Sequence, residues 1–170
     1  MQKGGRGVAF ISGDADSVTM CKFRSLSGQY PITEHAAEDL HDPPGGTERI
    51  VLAEDDPGVR RATLLILEDM GYQVQAYANG VEALAALEND SASVKLVLTD
   101  FEMPGLTGYE LAQRLRALKP DAKVLITSGL PEETIMRDAK PEDWPPFISK
   151  PFTYDSLGRK LREVLDVPAT

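Results

Sequence analysis

Ile50-Val51-Leu52-Ala53-Glu54-Asp55-Asp56-Pro57 sets an apolar run against three consecutive acids and a proline, and the fold is read outward from it. The apolar half has the length of a buried strand, closed by charge at its carboxyl end. Asp56 then suits a helix N-cap, and Pro57 the first helical position, where a missing N–H costs nothing. Behind it Val59, Ala62, Thr63, Ile66, Leu67 and Met70 recur at helical spacing, and Gly71 marks the stop. A strand feeding a helix through a short acidic turn is one half of a βαβ unit.

The same alternation continues toward the carboxyl terminus. Tyr72–Tyr77 is predicted as a second strand, followed by a helix capped by Asn79 that turns Val81, Leu84, Ala85 and Leu87 inward. Leu96–Thr99 is the third strand. After the Met103-Pro104-Gly105 turn, Leu111, Leu115 and Leu118 mark a helix that Pro120 ends, and Lys123–Thr127 is the fourth strand. Ile135 and Met136 fall in a short helix hemmed in by Pro141, Pro145 and Pro146. Phe147–Ser149 is the fifth strand, and Thr153 caps a last helix with Leu157, Leu161, Val164 and Leu165 inward. Strand–helix alternation of this kind predicts an α/β domain: a doubly wound, five-stranded parallel sheet in the flavodoxin-like order 2-1-3-4-5. A closed eight-fold barrel needs about 250 residues and is excluded by length.

Composition bounds the rest. The 170 residues are 42% apolar and 26% charged, ordinary for a globular chain, with 18 basic against 27 acidic side chains. A net charge of −9 repels nucleic-acid phosphates and anionic lipid, so neither nucleic acid nor membrane is an expected partner. Apolar runs such as Leu64–Leu67 are far too short to span a bilayer, and no signal-peptide core precedes them. Cys21 is the single cysteine, consistent with a reducing compartment, and a cytoplasmic location is expected. Residues 1–46 lack periodicity and end in Asp42-Pro43-Pro44-Gly45-Gly46. They are expected to form a poorly ordered tail and linker, with weak strand-like fragments at Val8–Ile11 and Met20–Phe23 that leave room for a small appended hairpin, ahead of a domain over residues 47–170. That domain carries most of the acidity.

In open parallel sheets, sites form beyond the carboxyl ends of the strands, near the reversal of strand order. Those ends carry Glu54, Asp55 and Asp56 on strand one, Asp100 on strand three, Thr127 and Ser128 on strand four, and Lys150 on strand five. Strands one and three are neighbours in the predicted order, so Glu54, Asp55 and Asp100 share one pocket. Two carboxylates about 4 Å apart repel by roughly 4 kcal/mol at an effective dielectric of 20, so the cluster must protonate or take a cation. All-oxygen ligands in a shallow, watered site suit Mg²⁺. Lys150 adds a positive charge for an anion held between it and the metal, most simply a phosphoryl group. Thr127 lies between them with a hydroxyl to donate. Asp100, alone at the end of a central strand, is the best acceptor, because Glu54 and Asp55 form a pair suited to holding metal.

Four segments together resemble the receiver domain of two-component response regulators over residues 48–167. They are Ile50–Pro57, Asp100-Phe101-Glu102-Met103-Pro104-Gly105, Leu125-Ile126-Thr127-Ser128-Gly129 and Phe147-Ile148-Ser149-Lys150-Pro151-Phe152. The resemblance implies phosphorylation of Asp100 by a phosphohistidine donor, either a sensor histidine kinase or a histidine phosphotransfer protein. It implies Mg²⁺ held by Glu54, through water, and by Asp55, Asp100 and the backbone carbonyl of Glu102. Lys150 would pair with the phosphoryl group, Thr127 would move toward it, and the Lys150–Pro151 bond would be cis. Phe147 fits a switch position and a packing position equally. A downstream protein target would read the surface of the fourth helix, fifth strand and fifth helix. Two features depart from the commonest pattern: Glu54 replaces an aspartate, and Pro131–Pro146 is proline-rich where a fuller helix is usual.

Competing chemistries have less support. No G-x-S-x-G surrounds Ser128, His35 and His41 lie in the tail, and no glycine-rich phosphate cradle follows the first strand. Three classes stay open: a phosphoacceptor signalling domain with no output module after the last helix, a phosphorylation-independent interaction scaffold, and a Mg²⁺-dependent aspartyl phosphohydrolase with Glu102 as general acid. A small phosphodonor with Mg²⁺ separates them by a stoichiometric adduct, no adduct, or multiple turnover.

Overall fold

A computed structural model describes Phe10–Ile11 and residues 45–89, 93–130 and 144–168. The elements are β1 (Phe10–Ile11), β2 (Arg49–Ala53), α1 (Pro57–Asp69), β3 (Gln73–Tyr77), α2 (Gly80–Asn89), β4 (Val94–Asp100), α3 (Gly108–Leu118), β5 (Lys123–Ser128), β6 (Phe147–Ser149), β7 (Phe152–Thr153) and α4 (Tyr154–Leu165). The five-stranded sheet runs β3-β2-β4-β5-β6 with every pair parallel, which is the predicted order 2-1-3-4-5. The short helix expected around Ile135 and Met136 lies outside the described residues, as does most of the tail.

Period-two alternation divides the strands between two cores. Ile50, Leu52, Leu96, Leu98 and Leu125 pack against α1 and α4, while Val51, Ala53, Val97, Val124 and Ile126 pack against α2 and α3. With both faces covered, the central strands read as continuous apolar runs rather than alternating ones. The caps hold the helices in phase. Asp56 accepts from the Val59 N–H at 2.7 Å, Asn79 from Glu82 at 2.8 Å and Thr153 from Ser156 at 3.1 Å. A reciprocal capping box joins Thr107 and Glu110 at the start of α3.

Two expectations change. The inner face of α2 is Gly80, Ala83 and Leu87; Val81 is 56% exposed, Ala85 is exposed and Leu84 is half-buried. The reason is close approach: a Cβ on Gly80 would stand 2.7 Å from the Leu106 carbonyl, so the helix meets that loop through its smallest residues. The third strand extends from Val94 to include Asp100. Within the tail, Phe10 and Ile11 pair antiparallel with Thr153 and Phe152, forming a two-stranded sheet just beyond Lys150. Ahead of β2, the Gly46 N–H donates to the Met70 carbonyl at 3.1 Å. No helix among the described residues is long and apolar enough to cross a membrane.

Candidate functional site

Strand register builds the site. Ala53 pairs with Thr99 across β2 and β4, so the next residues, Glu54 and Asp100, emerge side by side, and Asp100 is itself paired with Thr127 on β5. Glu54, Asp100 and Thr127 continue the alternation of Leu52, Leu98 and Leu125, the face covered by α1 and α4. Lys150 follows the phase of Ile148, which packs on that same core. Four strands thus deliver one polar cluster to one side of the sheet's carboxyl edge.

Glu54 is 3% exposed and Asp100 9%, whereas Asp55 lies at the surface. One carboxylate oxygen from each falls within 4.8 Å of the other two. Lys150 reaches back over the end of β5, its Nζ donating to Glu54 Oε2 at 2.8 Å and to Asp100 Oδ1 at 3.0 Å. The lysine bridges two buried carboxylates directly, its long stem crossing the width of one strand. Its backbone is fixed by an N–H to Ser128 O bond of 2.7 Å, and the following Lys150–Pro151 bond is cis.

One ammonium does not balance three carboxylates. Burial pushes the Glu54 carboxyl up, Lys150 pulls it down, and the charges of Asp100 and Asp55 push it up again, leaving it at about 7. Burial likewise raises Asp100 above the usual carboxylate range, against the pull of Lys150. Burial lowers Lys150, but Glu54 and Asp100 outweigh it and hold the ammonium protonated. With every group ionised, the pocket carries two negative charges in excess. A hard divalent cation fits that charge and an all-oxygen donor set.

Thr127 is 4% exposed, and its Oγ1 donates to the Thr99 carbonyl at 3.5 Å, the outer limit of a hydrogen bond. So weak a bond is readily exchanged for a better acceptor. Glu102 is exposed, and its carboxylate stands outside the three-acid cluster. Phe147 is half-buried and packs against the α2–α3 core.

Three further residues shape the site, of which Arg60 and Gly108 drew no notice in the sequence and Trp144 reads there as a core or loop contact. Arg60 Nη1 donates to the carbonyls of both Glu54, at 2.7 Å, and Asp55, at 3.0 Å. Its signal was its position, one helical turn past the Asp56 cap. Gly108 is required by contact, since a Cβ there would lie 2.2 Å from the Asp100 carbonyl. Trp144 packs edge-on to Phe101 with centroids 6.1 Å apart and tilts over Tyr109 at 4.4 Å, tying the approach to β6 to the residue after Asp100.

The structure is an open parallel α/β sheet with three acids at its switch point and a lysine bonded to two of them. Residues 50–162 match the family described as response regulator receiver domain, and the chain belongs to that family. It is 36% identical over 124 residues to the response regulator receiver protein CpdR of Brucella abortus, covering 69% of this chain and 97% of CpdR. It is 33% identical over 121 residues to the sensor kinase CckA of the same organism, covering 71% of this chain but only 13% of that kinase. Among solved structures, the response regulator TrrA of Thermotoga maritima in complex with Mg²⁺–BeF is 30% identical, with a TM-score of 0.61 over 69% of this chain and 98% of TrrA. TrrA in complex with the histidine kinase ThkA matches with 29% identity and a TM-score of 0.59 over 70% of this chain and 99% of that one. As a receiver domain, the chain is a two-component phosphorelay module, and modules of this family act as phosphoacceptors that work with histidine kinases.

Proposed function

We propose that Asp100 is the phosphoacceptor, that Glu54, Asp55, Asp100 and the Glu102 carbonyl hold Mg²⁺, and that the donor is a sensor histidine kinase or a histidine phosphotransfer protein. The observation that carries this reading is the excess of buried negative charge around Asp100, bridged by one lysine. The Mg²⁺-bound TrrA structure supports the metal by analogy, and the ThkA–TrrA complex supports the donor class.

In the transfer, an Asp100 carboxylate oxygen attacks the phosphorus of a phosphohistidine. The P–N bond breaks, a mixed carboxylic–phosphoric anhydride forms, and the imidazole leaves with the electron pair and takes up a proton from water. Bound Mg²⁺ supplies charge neutralisation for the phosphoryl oxygens. Lys150, already within 3.0 Å of Asp100, keeps its positive charge throughout and can shift its hydrogen bond from the carboxylate to the new phosphoryl group. Thr127 exchanges its 3.5 Å bond to Thr99 for a phosphoryl oxygen. Phosphorylation adds about −1.5 to −2 charges, and the contacts it makes exist only in the switched arrangement, which supplies the differential free energy for a population shift. The shift is read by a protein target on the surface around β6 and α4, in the cytoplasm.

Incubation with a small phosphodonor and Mg²⁺ should give one acid-stable, base-labile adduct per chain, mapped to Asp100. Asp100→Asn should abolish it, and Lys150→Ala should leave an adduct that no longer alters target binding. An adduct on Asp56, or turnover of varied phosphoesters, would sink the reading.

A further inference from the structure

Beyond Ala53 the β2 backbone leaves the ladder. Its last sheet bond on that side is Glu54 N–H to Tyr77 O at 3.2 Å, and Asp56 is committed to capping α1. The carbonyls of Glu54 and Asp55 are therefore past the reach of a neighbouring strand, and Glu54 is almost wholly buried. A buried carbonyl without a partner costs roughly 1–3 kcal/mol, so something must bond it. Arg60 does so for both at once: one guanidinium nitrogen lies 2.7 Å from the first carbonyl and 3.0 Å from the second. Its own backbone is fixed in the first turn of α1, where its N–H donates to Asp56 O at 2.9 Å.

Two consecutive carbonyls drawn to the same nitrogen leave the intervening peptide little freedom. Tetrahedral geometry at each Cα then sets where the two side chains point, and those side chains are two of the three acids in the cluster. We propose that Arg60 is a positioning residue for the acidic pair, holding Glu54 and Asp55 in the arrangement that binds a divalent cation. This rests on the metal-binding reading above and adds a residue that touches neither metal nor phosphoryl group.

Charge and position make opposite predictions. Removing a cation beside a Mg²⁺ site tightens binding by Coulomb attraction alone, whereas releasing the ligand-bearing backbone weakens it. Groups that orient metal ligands typically contribute 10–100-fold to affinity. Calorimetric titration of the full chain with Mg²⁺ at pH 8 should show Arg60→Met binding about tenfold more weakly than the unaltered protein. The Mg²⁺ concentration giving half-maximal phosphorylation by a small phosphodonor should rise by the same factor of about ten. Affinity that is unchanged or tighter overturns the proposal. Should Arg60→Met melt below the assay temperature, Arg60→Lys, whose single ammonium replaces the guanidinium, should lose about threefold, and an unchanged affinity there overturns it equally. Failure of the unaltered protein to take up Mg²⁺ would instead sink the metal-binding reading itself.

Discussion

The two edges of the central sheet carry charge clusters of opposite character. At the amino edge, Arg162 on α4 pairs with Glu48 at 2.6 Å and with Asp166, while Lys123 donates to the Leu165 carbonyl at 2.7 Å and draws on Asp166 electrostatically. Two cations there face two acids. Burial works against the Glu48 carboxyl, yet its Arg162 bond and the nearby backbone N–H groups hold it below its ordinary value. Asp166 is held down by Arg162. At the carboxyl edge one lysine faces three acids, and Glu54 and Asp100 are pushed up rather than down. The balanced cluster is a fastening between the incoming chain and the last helix. The unbalanced one stores repulsion that a cation or a proton relieves, and the proposed phosphoacceptor role rests on that imbalance.

Breaking the carboxyl-edge bridge should have the largest effect. Lys150→Met leaves two buried carboxylates facing one another and should cost about 3 kcal/mol at pH 8, read by denaturant unfolding without divalent ions. Added Mg²⁺ should restore part of that loss. An unchanged unfolding midpoint would mean that the bridge is not formed in solution.

Acid should then separate the two edges by sign. Glu54 is raised to about 7 in the fold from an ordinary 4.5, so its contribution to stability is full below pH 4.5 and is lost as pH rises through 7. Glu48 is lowered, so its contribution is present above pH 4.5 and is lost as pH falls through its folded value. Thermal melts from pH 5 to 8 should therefore show a decline that Glu54→Gln removes and Glu48→Gln leaves in place. Because the proton on Glu54 competes with metal, Mg²⁺ affinity should climb by up to about tenfold per unit between pH 6 and 7 and level off above. Affinity independent of pH would contradict the raised value.

The smallest effect is expected at the amino edge. Glu48→Gln removes a partly exposed ion pair and should cost under about 1 kcal/mol, with Mg²⁺ affinity and adduct formation unchanged. A fall in Mg²⁺ affinity there would show that the two edges communicate.

Much of this arrangement was legible along the chain. Apolar runs ending in Glu54, Asp100, Thr127 and Lys150 were enough to identify the strands, because strand length and helical spacing are local properties, and a flavodoxin-like order then brings those residues to one edge. On α2 Leu84 and Leu87 meet the core as expected, but Val81 and Ala85 were assigned inward where Gly80 and Ala83 stand. The loop at Leu106 demands the smallest there, and only the packed structure shows how close that loop comes. The role of Arg60 was equally hidden, since a guanidinium on a helix is by default a solvated surface group until a fold leaves two carbonyls in front of it.

The order of residues by itself determined the class of fold and the acids at the strand ends, which follow from periodicity and local chemistry, while the strand order came with the assumption of a flavodoxin-like topology that the sheet bears out. Tertiary structure alone decided the depth of Glu54, the reach of Lys150 across β5 and the pairing of Phe10–Ile11 beside β7. Burial, the span of a long side chain and contact between distant segments depend on where other parts of the chain come to rest, and no local pattern encodes that.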